Sequence, residues 1–349
     1  MNLLRFKTEK GWYIYDIGTN HILRVDKLTW LTVREARSQN LTEKIPRAEL
    51  EKSLARIHQI QTEKDLFASL PLRGLRFPQS IDEVIEQLNT NLDHIILNVT
   101  EQCNLRCLYC KFGSTYGLNR YVKKMSEEVA RKACEFLLAR SDRAQRLRIG
   151  FYGGEPLLTF PMIRRLVLSV KESTQKPIIF SITTNGSLLN SEVLKFLIEH
   201  DFYLTISLDG PRHLHDRYRR STKNAGTFDT VLKSINLIRR VDEGYYMTKV
   251  GLSVVLAPEY HIDEIIGFFA SDKVYTEGPI FFSLVDPNDT TFFEQFDKQK
   301  IIRQYRQQVK ALESEFLDCL SDPRRNGCSP RRFRLLMELF GKPYFYIHN

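Results

Sequence analysis

Apolar and polar residues alternate in three short segments at the start of the chain, with turn residues between them. The segments are 3–6, 12–15 and 22–25, and their period of two predicts a short antiparallel β-meander. Between 48 and 60 the apolar residues recur at helical spacing, which predicts one amphipathic helix. Strands followed by a helix are typical of a small α+β domain, and we expect residues 1–85 to form it.

From residue 93 onwards, short apolar runs alternate with amphipathic helical patterns. The apolar runs lie at 95–99, 147–152, 178–183, 203–208, 250–256 and 279–284. The helical patterns lie at 127–138, 162–172, 191–200, 228–240 and 262–270. Nearly continuous apolar strands that alternate with helices predict a parallel sheet covered by helices. Six such repeats favour an α/β fold with a partial (β/α)6 barrel at 86–290, followed by a C-terminal helix and extension at 291–349.

The chain has 349 residues, which is more than one hydrophobic core normally serves, so we expect at least two domains. Its composition, 42% hydrophobic and 27% charged, is that of a globular protein and not of a fibrous or disordered one. The sequence has no apolar run of about 18 residues and no apolar signal segment, which predicts a cytoplasmic protein that does not span a membrane. The net charge of +9 favours an acidic partner, such as nucleic acid, an acidic peptide or an anionic surface.

Three of the six cysteines lie within eight positions, directly after the first strand of the predicted barrel. Cys103, Cys107 and Cys110 have the spacing C-x3-C-x2-C, which indicates a metal site because so few clustered cysteines make no disulfide framework. Three thiolates in one loop can bind three irons of a 4Fe-4S cubane and leave the fourth iron open to a substrate. The alternative is zinc, which normally takes four ligands in paired spacings, and no second pair of cysteines follows nearby.

With an aromatic residue at Tyr109, the loop has the pattern C-x3-C-x-aromatic-C directly after a strand. This pattern resembles the signature of the radical S-adenosylmethionine (SAM) superfamily. The resemblance implies one 4Fe-4S cluster held by Cys103, Cys107 and Cys110, with SAM chelating the open iron through its amino and carboxylate groups. It also implies cleavage of SAM to a 5'-deoxyadenosyl radical that abstracts hydrogen from a substrate, with electrons from a donor such as a flavodoxin or ferredoxin.

Further motifs of this superfamily follow at the carboxyl ends of predicted strands, where parallel α/β barrels build their sites. GGEP at 153–156 matches one of them, and its glycines permit close approach of the backbone to a ligand. TTNG at 183–186 and SLDGP at 207–211 resemble two others. The resemblance implies that the cofactor contacts Tyr109, Gly153, Gly154, Glu155, Thr183, Asn185, Ser207 and Asp209. Taken singly, each motif is also a common turn sequence.

The segment 213–219, followed by Gly-Thr-Phe at 226–228, is similar to a pattern in radical SAM enzymes that modify peptides and proteins. Within this segment, His215 is either a catalytic residue or a histidine that fixes a turn by pairing with Asp216. Arg219 is a candidate for holding the carboxylate of the cofactor. The sequence assigns no catalytic acid or base.

The resemblance favours a ribosomal-peptide maturase that installs a thioether or carbon–carbon crosslink in a precursor peptide. The N-terminal strands and helix resemble a winged-helix-like recognition domain, which captures a leader peptide as an added strand. Enzymes of this kind often carry a cysteine-rich C-terminal extension, whereas this chain offers only Cys319 and Cys328 after the barrel. We therefore expect the extension to be missing or truncated and the chain to bind a single cluster.

Two alternatives stay open. A sulfatase-maturing type of enzyme would modify a folded or nascent protein and would need no leader-binding domain. An iron–sulfur regulator that binds nucleic acid would use the positive charge, which is densest at 324–325 and 331–334. The remaining basic residues are dispersed along the chain, which disfavours this regulator.

Overall fold

A computed structural model describes residues 3–8, 11–16, 21–32, 46–64, 80–112, 123–288, 290–321 and 329–340. The chain divides into two compact units, Met1–Ile81 and Asp82–Asn349. The expected boundary at residue 291 therefore lies inside the second unit, which holds both the large sheet and the C-terminal helices.

The first unit is built on a three-stranded antiparallel sheet. Its elements are β1 (Leu3–Thr8), β2 (Gly11–Asp16), β3 (His21–Val25), α1 (Lys27–Thr32) and α2 (Arg47–Lys64). The strands lie in the order β1-β2-β3, as the alternating pattern predicts, so β1 and β3 are the two edges. Ile14 and Ile57 are buried and pack against Leu23, Val25 and Trp30, which gives this unit a small core of its own.

The second unit is built on a six-stranded sheet in which every neighbouring pair is parallel. Its strands are β4 (His94–Thr100), β5 (Leu147–Gly153), β6 (Ile178–Thr184), β7 (Tyr203–Ser207), β8 (Val250–Leu256) and β9 (Ile280–Leu284). They follow one another in chain order, which confirms the predicted α/β class and strand positions to within one residue at each end. The sheet is a partial barrel, since β4 and β9 are not paired in the part of the chain described.

The helices of the second unit lie mainly between its strands. They are α3 (Ile81–Thr90), α4 (Glu127–Leu138), α5 (Phe160–Ser173), α6 (Ser191–Glu199), α7 (Arg212–Tyr218), α8 (Phe228–Val241), α9 (Glu243–Lys249), α10 (Ile262–Ala270), α11 (Lys298–Ser321) and α12 (Pro330–Phe340). Neither α7 nor α9 was predicted, because each spans only two turns, and α12 lies in the region expected to form the C-terminal extension. α12 packs against α10 and β9 and so protects an edge of the sheet.

The two faces of the large sheet differ in polarity. On β6, Phe180, Ile182 and Thr184 are buried, whereas Ser181 and Thr183 on the opposite face are only half-buried. Period-two alternation therefore gives the sheet an apolar face toward the helices and a more open, polar face on the other side. None of the helices in the described ranges has the length and apolar character needed to cross a bilayer.

Candidate functional site

The cysteine loop begins where β4 ends and is tied to the turn that follows β5. The Gly154 amide donates to the Thr100 carbonyl oxygen at 2.6 Å, and the Glu155 amide donates to the Gln102 carbonyl oxygen at 2.8 Å. These two bonds hold the start of the cysteine loop against the GGEP turn. The loop and the GGEP turn therefore lie at the carboxyl end of the sheet, where parallel sheets build their sites.

Gly153 and Gly154 make this close contact possible. Gly153 has a φ of +132°, and a Cβ placed on it would lie 2.2 Å from the Thr100 carbonyl oxygen. A Cβ on Gly154 would lie 2.2 Å from the Gln102 carbonyl oxygen, which is far inside van der Waals contact. The backbone of residues 100–102, at the start of the cysteine loop, lies against these two glycines, and their contact with SAM stays a prediction.

Glu155 is fully buried and bonded to the turn after β6. Its Oε1 accepts from the Thr184 hydroxyl at 2.7 Å and from the Leu157 amide at 3.0 Å, and its Oε2 accepts from the Asn185 amide at 2.7 Å. Burial raises the pKa of this carboxyl group, and the three donors oppose the rise. The carboxylate thus links the β5 and β6 motifs, whatever further contact it makes with a ligand.

Asn185 contacts the cysteine loop directly. Its Nδ2 donates to Asn104 Oδ1 at 2.9 Å and approaches Cys103 Sγ at 3.7 Å, while its Oδ1 accepts from the Ser187 amide at 2.9 Å. Asn104 was not predicted as a site residue, because nothing in the cysteine pattern marks that position. Thr184 was not predicted either, although strand alternation from Thr183 places Thr184 on the buried face.

The remaining expected cofactor contacts fall into two groups. Thr183 and Ser207 are half-buried on the open face of the sheet, in register with Thr205 and Ser253 of the next strands. Tyr109 and Asp209 are buried instead, and the Tyr109 hydroxyl donates to Asp209 Oδ2. Ser207 and Asp209 are two positions apart, so a continuous strand would place both on the open face, but β7 ends at Ser207 and the chain turns before Asp209.

The three thiols suit a cluster. Cys103 Sγ accepts from the Leu105 amide at 3.3 Å, and such N–H···S bonds favour a thiolate. Burial raises the pKa of the Cys107 thiol to about 12, and the charges of Cys110, Asp209 and Cys103 act in the same direction. Arg219 opposes this rise, and its buried Nε lacks an acceptor among the described residues, which leaves a donor for a negatively charged group.

The geometry bears on the zinc alternative as well. In the ranges that the structure describes, no three histidine, cysteine or carboxylate side chains are placed to hold a single metal ion. A cubane needs no such convergence, because each thiolate binds a different iron. The donor set of Cys103, Cys107 and Cys110 thus fits a cluster with one open iron.

His215 is buried, and Asp216 is not its partner. Its Nδ1 accepts from the Asp209 amide at 3.3 Å, so its Nε2 carries the proton and donates to Thr227 Oγ1 at 3.0 Å. Asp216 accepts from the amides of Thr227 and Phe228 at 2.7 and 2.8 Å at the start of α8. The proposed His215–Asp216 pair is therefore wrong, since the two side chains bond different groups.

Neutral His215 predicts a pH dependence of stability. Burial, and then the charge of Arg219, lower its pKa well below 6.5. Below pH 6.5 the unfolded chain binds a proton at this side chain while the folded chain does not, so stability falls as pH falls, by at most about 1.4 kcal/mol per unit. Urea unfolding followed by circular dichroism from pH 7.5 to 5 measures the slope.

The histidine variants separate this contribution from others. His215→Asn keeps an acceptor but cannot titrate, so we expect lower stability and a shallower slope. His213→Asn alters an exposed histidine beside Glu264 and serves as the matched control, with an unchanged slope. Equal slopes in the wild type and both variants would contradict the prediction.

The basic residues near the C-terminus are engaged within the protein. Arg331 pairs with Asp272, and Arg332 Nη2 pairs with Glu315 Oε2 at 2.7 Å. Arg334 donates to backbone carbonyl oxygens. Acidic side chains thus offset the charge of Arg331 and Arg332, which weakens the positive patch that the nucleic-acid alternative required at 331–334. Residues 324–325 lie outside the described residues.

Comparisons with known proteins cover the part of the chain that contains this site. Residues 97–268 match the family described as the Radical SAM superfamily. A cysteine-type anaerobic sulfatase-maturating enzyme of Clostridium novyi is 31% identical over 184 residues, which cover 51% of this chain and 48% of that enzyme. The radical SAM cyclopropyl synthase TigE of Paramaledivibacter caminithermalis is 26% identical over 221 residues, which cover 60% of this chain and 44% of that enzyme.

The chain spans about half the length of the curated relatives it matches. A solved structure, native anSMEcpe with bound AdoMet, has a TM-score of 0.53 at 23% identity and covers 67% of this chain and 62% of that chain. That likeness supports the fold. The family match spans the cysteine loop, the GGEP turn and the strand-end motifs described above. Through residues 97–268, this chain belongs to the radical SAM superfamily.

Proposed function

We propose that this chain is an enzyme that cleaves SAM and modifies a ribosomally made peptide, with a thioether or carbon–carbon crosslink as the product. The observation that carries the proposal is the three-cysteine loop bonded to the GGEP turn at the carboxyl end of the sheet. The superfamily match at 97–268 supports it independently. The cofactors are one 4Fe-4S cluster and SAM.

The residues of the chain have separate tasks in this reaction. Bound together, the cluster and SAM would supply a 5'-deoxyadenosyl radical that abstracts hydrogen from the peptide. Cys103, Cys107 and Cys110 would hold the cluster. Thr183 and Ser207 lie half-buried on the open face, where their hydroxyl groups are available to hydrogen-bond SAM.

Two partners complete the proposal. A flavodoxin or ferredoxin would supply the electron that reduces the cluster. A cytoplasmic location suits a cluster with an open iron, since the cytosol keeps thiols reduced. The electron donor and the cytoplasmic location are both inferred from the cluster, so neither inference stands if the chain binds no cluster.

Residues 1–85 would recognise the leader of the precursor. The sheet of the first unit has two edge strands, β1 and β3, and an edge strand offers unpaired backbone groups to an added peptide strand. Ile22 on β3 is 62% exposed, so an apolar side chain of the leader could pack on it without disturbing the core around Ile14.

One experiment tests both parts of this function. The reconstituted full chain receives SAM, dithionite and each short peptide that proves to be encoded beside its gene, and 5'-deoxyadenosine and peptide mass are followed. We expect Ile22→Asp to lower peptide modification about tenfold while 5'-deoxyadenosine formation without peptide is unchanged, because one apolar contact is worth about 1–2 kcal/mol.

Ile302→Asp is the matched control, since Ile302 is a 49%-exposed isoleucine on α11. Equal loss with both variants would overturn the leader-binding role. Absence of 5'-deoxyadenosine from the wild type would overturn the enzyme itself.

A sulfatase-maturing activity is the second candidate, and the Clostridium novyi relative favours it. Such an enzyme would accept a peptide from a sulfatase without help from the first unit. Modification of that peptide, equal in the wild type and in Ile22→Asp, would select this candidate.

A further inference from the structure

Three buried polar side chains meet at the cysteine loop, one from the loop itself and two from outside it. We call these residues, Tyr109, Asp209 and Arg219, the loop clamp. Arg219 Nη1 donates to the Tyr109 hydroxyl at 2.9 Å, and that hydroxyl donates to Asp209 Oδ2. Arg219 Nη1 also lies 3.8 Å from Asp209 Oδ1. All three residues are at most 7% exposed. Buried charges are costly unless they are paired, so this arrangement calls for a role.

The backbone adds a second connection between the same parts of the chain. The Arg106 amide donates to the Arg220 carbonyl oxygen at 2.6 Å, and the Leu108 amide donates to the Tyr218 carbonyl oxygen at 2.9 Å. Leu105 also forms an antiparallel bridge with Ser221. The part of the loop between the first and last cysteine is thus paired with 218–221 as if it were a short strand.

The clamp is anchored in the sheet and in α7. Asp209 Oδ1 accepts from the Val255 amide at 3.1 Å, and the Asp209 amide donates to His215. His215 bonds Thr227, whose hydroxyl donates to the Arg219 carbonyl oxygen at 3.0 Å. Asp209 and Arg219 are therefore bonded to groups outside the cysteine loop, and Tyr109 is bonded to both of them.

Arg219 also places a positive charge beside the loop. In the antiparallel pairing of Leu105 with Ser221, Arg219 is opposite Cys107, and both side chains are buried. A guanidinium in that position attracts any negative charge gathered on the sulfur.

We propose that Arg219 is a positioning residue that acts through Tyr109 and Asp209 to hold the cysteine loop in the shape that accepts the cluster. This differs from the expected roles, in which these residues contact SAM. The part of the inference that concerns the cluster rests on the proposed function. The part that concerns the loop rests only on contacts within the chain, so the two can fail separately.

The first test uses the full chain without cluster. Tyr109→Phe removes the hydroxyl shared by Arg219 and Asp209 but keeps the ring, which packs edge-on against Tyr218 and Phe292. We expect amide hydrogen exchange at Arg106 and Leu108 to become about tenfold faster, since losing a buried hydrogen bond costs about 1–1.5 kcal/mol.

Tyr245→Phe is the matched control. Its hydroxyl is also buried, and it donates to the Phe202 carbonyl oxygen at 2.8 Å, at the amino end of β7 and away from the loop. This variant should leave exchange in the loop unchanged. Equal protection of the loop amides in wild type, Tyr109→Phe and Tyr245→Phe would overturn the clamp, whether or not the protein binds iron.

The second test uses the reconstituted protein. Tyr109→Phe and Arg219→Gln should release iron to a chelator roughly 10–100-fold faster than Tyr245→Phe, as is usual when partners of metal ligands are lost. Arg219→Gln should also shift the cluster midpoint potential to more negative values, because reduction adds negative charge near a lost cation. Unchanged release and potential would show that the clamp does not act on the cluster. A wild type that takes up no iron would instead reject the proposed function.

Discussion

With Cys107 replaced by alanine, anaerobically reconstituted protein should show no 4Fe-4S absorbance and should form no 5'-deoxyadenosine from SAM. Cys107 is the middle ligand of the loop, it is buried, and two thiolates cannot hold a cubane that is normally held by at least three. The loss should be complete, because the cluster supplies the electron for cleavage. Iron content, the visible spectrum and chromatography of the nucleoside measure it.

Cys134→Ala is the matched control. Cys134 is also a buried free cysteine, but it lies on the apolar side of α4 and has no part in the loop. We expect iron content and SAM cleavage to match the wild type, with only a small loss of stability. A full cluster in Cys107→Ala, or stoichiometric zinc in the wild type, would contradict the assignment of the loop.

Gly154→Ala should disrupt the packing of the GGEP turn on the cysteine loop. Its new methyl group would lie 2.2 Å from the Gln102 carbonyl oxygen and 2.7 Å from that of Glu101, so the backbone of the cysteine loop must move. Overpacking of this kind costs about 1–3 kcal/mol. We expect lower thermal stability together with loss of cluster, which melting curves and iron content would show.

Gly267→Ala provides the opposite case. Gly267 lies in α10, and a methyl group there would meet no other atom within 4 Å apart from its own helix backbone. Alanine is a better helix former than glycine by about 1 kcal/mol, so stability should stay equal or rise slightly. A Gly154→Ala protein as stable and as rich in iron as Gly267→Ala would show that the loop does not pack on the GGEP turn.

The strands of the large sheet could be predicted closely because they are buried on one or both faces and form short apolar runs between polar turns. α7 could not, since Asp209-Gly210-Pro211 is a common turn sequence and the seven residues after it give no clear helical period. α12 was not predicted either, because its arginines suggested an exposed basic tail. The acidic partners of Arg331 and Arg332 lie far away along the chain, so local sequence patterns cannot predict these ion pairs.

The candidate site was predictable as a set of positions, and its connections were not. Spacing alone identified the three cysteines, and the resemblance to superfamily motifs at strand ends pointed to Glu155 and Asn185. That Tyr109 bonds Asp209 depends on two residues 100 positions apart, which only the fold brings together. The same is true of Gly153 and Gly154, whose contacts with the start of the cysteine loop depend on the fold.

The bonds between the cysteine loop and the rest of the chain also bear on the order of maturation. The loop is held by the amides of Gly154 and Glu155, by Asn185 and by pairing with 218–221, all of which are contacts within the polypeptide. In small zinc fingers, by contrast, the metal supplies the folding energy. Here the polypeptide can fold before it binds iron. It would then receive the cluster later, from a carrier protein that binds the folded chain. Iron starvation would then leave a reservoir of folded, inactive protein that recovers once iron returns.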